Sequence, residues 1–143
     1  VRTTGFLIAA GVALVISACA IRPDIADRPP LELRVEPTGS AFQLSLANPS
    51  SYDRCIVQEN WPTRGGQLHF ASEQVFVEDD GRRFPIRDEN TGYCLYCELR
   101  IPAGSSITAT LPYAEFPGLP DSPPGPHATL TLPVIETSCR ASS

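Results

Sequence analysis

Cys94-Leu95-Tyr96-Cys97 is the stretch of this sequence with the most obvious capacity for chemistry. Two thiols at that spacing form a redox pair when the first sits at a helix N-terminus, where the dipole lowers its pKa. Here Tyr93, Leu95, Tyr96 and Leu99 flank them in a strand-like pattern, without a surrounding βαβ unit. A structural role is expected instead. Together with Cys55 and Cys139 the pair supplies four thiols, enough for a closed zinc tetrahedron or for two disulfides. The two histidines, His69 and His127, lack a spaced third ligand. Asp79, Asp80, Asp88, Glu89 and Asn90 make oxygen-rich turns of the kind that hold calcium, but without EF-hand spacing, and turns favour these residues in any case. No GxSxG is present, and Gly104-Ser105-Ser106 reads as the start of a strand. The sequence therefore predicts no catalytic residues, no metal site and no cofactor.

The fifth cysteine has a different setting. Cys19 ends an apolar run from Gly5 to Ala18, preceded by Arg2. That run is shorter than the roughly 20 residues of a transmembrane helix and has the layout of a secretory signal peptide. Ile16-Ser17-Ala18-Cys19 resembles the lipobox of bacterial lipoproteins. The resemblance covers the first 20 residues. It implies a signal peptide over 1–18, transfer of diacylglycerol to the Cys19 thiol, cleavage before Cys19 and acylation of the new amine. A single acyl chain anchors only marginally, and a lipoprotein of this type carries three. Ala20, where an Asp would resemble an inner-membrane retention signal, implies an outer-membrane location facing the periplasm.

Removing such a leader leaves 10 arginines, with no lysine, against 16 acidic residues. A net charge near −6 argues against nucleic acid and against attraction to anionic lipid. The membrane partner is then reached through lipid on Cys19 alone. In an oxidising compartment the four remaining cysteines read as two disulfides rather than zinc. Residues 19–30, with Pro23, Pro29 and Pro30, read as a flexible tether.

From Leu31 to the C-terminus the pattern is period two, as expected of one all-β domain over 31–143. Leu31, Leu33 and Val35 alternate with Glu32, Arg34 and Glu36, and Phe42, Leu44 and Leu46 follow after a turn at 37–40. Further strands are expected around Cys55–Val57, Gln67–Phe70, Gln74–Glu78, Arg83–Arg87, Tyr93–Ile101, Ile107–Leu111 and Leu130–Val134. Asp79-Asp80-Gly81 is a type I′ hairpin signal, because that turn needs positive φ. Fifteen prolines and ten glycines disfavour long helices. Short strands at roughly ten-residue spacing predict a small antiparallel, immunoglobulin-like β-sandwich. The segment from Ile101 to Val134 resembles the closing part of bacterial immunoglobulin-like modules, although the tyrosine corner and the Cys-to-Trp spacing are missing.

A strand over Tyr93–Ile101 would place Cys94 and Cys97 on opposite faces and too far apart to bridge. Cys97 would share the core face with Leu95, Leu99 and Ile101. The expected pairs are thus Cys55–Cys97 and Cys94–Cys139, with Cys139 in a mobile tail. The expected function is a non-catalytic envelope lipoprotein whose domain binds or scaffolds another envelope protein. The alternative is an inhibitor of an envelope hydrolase that presents Pro112–Pro126 or Asn60–Gly66 as a rigid loop. PxxP spacing in the first of these also makes it a candidate docking segment.

Overall fold

The computed structural model describes residues 28–68, 74–87, 97–120 and 124–140. Among the described residues nine strands form three antiparallel three-stranded sheets: β1 (Glu32–Pro37), β2 (Ala41–Ala47) and β7 (Ser106–Pro112) in the order β1-β2-β7; β3 (Arg54–Val57), β6 (Glu98–Ile101) and β9 (Glu136–Thr137) in the order β6-β3-β9; and β4 (Phe76–Asp79), β5 (Arg82–Pro85) and β8 (Thr129–Thr131) in the order β5-β4-β8. Two short 3-10 turns are present and no α-helix occurs among the described residues. The chain is all-β.

The first sheet follows directly from alternation. Phe42, Leu44 and Leu46 point inward on β2 and are almost wholly buried. They face Leu111, Ala109 and Ile107 on β7, and Val35 and Leu33 oppose Leu44 and Leu46 from β1. A one-residue slip would turn this whole set to solvent, so the apolar period fixes the register. The β4–β5 hairpin turns at Asp80 and Gly81, with φ of 48° and 74°, the two positive values that a type I′ turn requires. Behind the hairpin, Val77 packs between Phe84 and Leu130.

Asn48 joins the turn after β2 to the arch between β6 and β7. Its amide donates to the carbonyls of Tyr52, Ile101 and Pro102 at 2.9, 3.0 and 3.2 Å. Its oxygen accepts from the backbone N–H and hydroxyl of Ser50. These bonds offset the cost of burying the amide. Through that arch, Pro102 to Ser105, consecutive strands β6 and β7 enter different sheets.

Several expectations are corrected. Gln67 and Leu68 are not in a strand, and His69 and Phe70 lie outside the described residues. Of the strand expected over Tyr93–Ile101, Glu98–Ile101 is strand, Cys97 is not, and Tyr93 to Tyr96 lie outside the described residues. The proline-rich stretch after β7 is not a plain surface loop. Tyr113, Phe116 and Leu119 are buried, with Tyr113 and Phe116 edge-on to Phe42 at centroid distances of 4.9 and 6.1 Å. The Tyr113 hydroxyl donates to the Thr38 carbonyl at 2.6 Å, and burial raises its pKa. Aromatic side chains carry enough apolar area to hold a proline-rich segment on the core.

Candidate functional site

Of the residues expected to carry chemistry, Cys19 and Cys94 lie outside the described residues, as do His69, Asp88, Glu89 and Asn90. Cys55 is bonded to Cys139, with a Cα–Cα distance of 5.2 Å. The expected pairs Cys55–Cys97 and Cys94–Cys139 are therefore wrong. Across the β3–β6 ladder Cys55 faces Arg100, and Cys97 sits three residues further along. That offset is about 10 Å at about 3.3 Å per residue, too far for a bridge. Cys139 is not in a mobile tail. Glu136 and Thr137 form β9 against β3, with Thr137 directly opposite Cys55, and this returns Cys139 to its partner. The isolated Glu-Thr pair carries too little pattern to read as a strand from sequence. Cys97 is also disulfide-bonded, and neither Cys55 nor Cys139 is its partner.

Beside this disulfide the buried Arg54 guanidinium pairs with the half-exposed Glu136 carboxylate through Nε and Nη2, and Nη1 donates to the Pro29 carbonyl. The hydrogen bond to Glu136 raises the guanidinium pKa against the opposing effect of burial. Arg28 lies over the Tyr52 ring at 5.3 Å. The chain from the N-terminal side thus enters the domain at this pole.

A cleft of about 580 Å³ lies elsewhere. Its walls are the inner and outer faces of β7 (Ile107 to Thr110), Leu99 of β6, Gln43 of β2, and Gln58 with the loop Trp61 to Arg64. The loop is closed on itself. Thr63 donates its N–H to the Gln67 carbonyl, and its hydroxyl oxygen accepts from the N–H groups of Gly65 and Gln67. Gly66, at φ 79°, presses the loop onto the end of β7. A Cβ there would meet Pro112 Cδ at 2.6 Å and the Thr110 carbonyl at 3.1 Å, so only glycine fits. Arg64 is the one charged residue in the cleft wall. Hydroxyls, amides and apolar groups make up the rest, an arrangement suited to binding through shape and hydrogen bonds.

Of the other candidates, Asp79 and Asp80 sit on the β4–β5 hairpin, and His127 lines the same shallow depression as Asp80 and Gly81. Among the described residues no group of three or more His, Cys, Asp or Glu is placed to hold a metal ion. The Pro117–Pro120 stretch is a turn, with Leu119 N–H donating to the Phe116 carbonyl and Gly118 at φ 86°, so it does not offer an extended polyproline face. The sequence reading missed the cleft. The available signal was the lack of charge along Ser106 to Leu111.

No known family matches this chain, and neither does any curated protein or solved structure.

Proposed function

We propose that this chain is a lipid-anchored protein of the bacterial cell envelope. In this reading residues 1–18 are a leader, Cys19 carries the lipid, and residues 19–30 are the tether. Residues 31–143 are then a non-catalytic, immunoglobulin-like β-sandwich, braced by two disulfides, that binds another envelope protein. The outer membrane, with the domain in the periplasm, is the proposed location. The Ile-Ser-Ala-Cys motif supports the anchor, and the Cys55–Cys139 bond suits an oxidising compartment.

The observation that carries the binding role is the position of the cleft relative to the tether. The chain enters at Glu32, which aligns with Ala47 and, through it, with Ser106. The Trp61–Gly66 loop lies at the other end of this sheet, against Thr110 and Pro112. A domain tethered this way presents the loop-lined end of the cleft away from its anchor, while Ile107 at the other end lies beside the entry of the chain. The inhibitor alternative draws less support, because Asn60, Trp61, Tyr113, Phe116 and Leu119 in its two candidate loops are buried.

Two arms test the proposal. Wild type should partition into the detergent phase of an envelope extraction and Cys19→Ala into the aqueous phase; identical partition defeats the anchor. Cross-linking in whole cells should join the wild-type domain to one or a few envelope proteins; a clean monomer at all cross-linker doses defeats the binding role.

A further inference from the structure

The ladder hydrogen bonds define which backbone groups of β7 are spoken for. Tyr113 N–H donates to the Ser40 carbonyl and Asn48 N–H to the Ser105 carbonyl, at opposite ends of the β2–β7 pairing. In an antiparallel ladder hydrogen-bonded pairs recur every second residue. Residues 107, 109 and 111 therefore direct their N–H and C=O groups to β2, and Ser106, Thr108 and Thr110 direct theirs to the open side. Among the described residues no group bonds to the backbone of Thr108 or to the N–H of Thr110. That open side is the cleft.

An unpaired edge is a template for another strand, and proteins normally blunt it with charge, proline or short length. The other outer strands of this molecule follow that rule. β1 carries Glu32, Arg34 and Glu36, β5 carries Arg82 and Arg83, and β6 carries Glu98 and Arg100. β8 and β9 have three and two residues. β7 has seven residues, Ser-Ile-Thr-Ala-Thr-Leu-Pro, without a charge. Its one blunting residue, Pro112, lies at the end that Gly66 already covers. Arg64 stands at that same end, exposed and without an acidic partner among the described residues, in a chain of net charge −5.

We infer that the β7 edge binds an extended peptide segment of a partner protein, as an antiparallel fourth strand, with an acidic side chain near the segment's N-terminal end set against Arg64. The inference rests on the binding role proposed above and specifies its chemistry. The added strand pairs with the free groups of Thr108 and the Thr110 N–H. Alternate apolar side chains lie over Ile107, Ala109 and Leu99, and polar ones over Thr108 and Thr110. Main-chain bonds supply affinity in this mode and alternate side chains supply selectivity.

The test titrates the isotope-labelled mature chain in detergent with two capped probe peptides, Glu-Val-Thr-Val-Thr-Val and its Lys-first counterpart. With the Glu peptide, the amide resonances of Thr108 and Thr110 should shift and their hydrogen exchange should slow at least tenfold. The Lys peptide should bind at least fivefold more weakly, and Arg64→Glu, at an exposed position, should reverse that order. Thr108→Pro removes an N–H that β2 does not use, so it should abolish binding, whereas Thr108→Val should retain it. No response to the Glu peptide, unchanged binding by Thr108→Pro, or self-association of the chain through β7 overturns the inference. If Thr108→Pro does not fold, as judged by its amide spectrum, the Arg64→Glu reversal decides alone. An in-cell cross-link that survives Thr108→Pro would leave the binding role standing and remove only its assignment to this edge.

Discussion

Strand β2 sends Phe42, Leu44 and Leu46 into the core and pairs along its full length with β7 and over Phe42 to Ala47 with β1. Strand β3, at the centre of the second sheet, places Ile56 in the core and spends its adjacent positions on Arg54, paired with Glu136, and on Cys55, bonded to Cys139. The first sheet is held by packing over strands of six and seven residues. The second has strands of four, four and two residues and adds a covalent bond and an ion pair. A two-residue strand gains little from its own ladder, so the bond that fixes it must come from elsewhere. Cross-links in this molecule stand where apolar area runs out.

Replacement of Phe42 by alanine tests the packed side of that contrast most severely. The ring meets Tyr113 and Phe116, and its loss should cost about 4–5 kcal/mol. Urea titration should show a lower midpoint with an unchanged slope, because the unfolded chain is unaffected. A loss under about 2 kcal/mol would mean that the first sheet does not rest on this packing. Cys55→Ala with Cys139→Ala tests the stapled side. With a sequence separation of 84 between the partners, chain entropy gives a contribution of about 4.5 kcal/mol. The measured loss should be smaller, about 2–4 kcal/mol, and the urea slope should rise as the unfolded ensemble expands. An unchanged slope would show that the bond acts within the folded state.

The ion pair gives the smallest and least symmetric effect. Glu136→Ala strands a buried guanidinium and should cost about 1–2 kcal/mol. Arg54→Met leaves a carboxylate that is 45% exposed and keeps the packed stem, so its cost should stay below about 1 kcal/mol. Thermal melts of the two variants check the order, and the reverse order would make the guanidinium itself the stabilising group.

How far these features could be read in advance varied with their range. The β1–β2 hairpin, the type I′ turn at Asp80-Gly81 and the inward set of β2 and β7 follow from local alternation and turn chemistry, so the all-β class was legible. The partner of Cys55 was not, because it depends on β9, whose two residues show no period. Nor were the buried positions of Tyr113, Phe116 and Leu119, spaced by three among prolines where alternation gives no guide. The cleft beside β7 belongs to four separate segments that only tertiary folding brings together. The lack of charge on Ser106–Leu111 was visible but gained meaning only once its neighbours were known to be charged edges.

The Cys55–Cys139 bond also makes everything between those two residues a closed covalent loop. A protease that cuts at an exposed position inside it, such as Gly118, opens the backbone without separating the products. The C-terminal piece stays linked to the N-terminal one through the disulfide, and the nick is visible only on a reducing gel. Nicked chains would therefore accumulate as cleaved but still linked molecules, and separating the two pieces would require reduction of the bond.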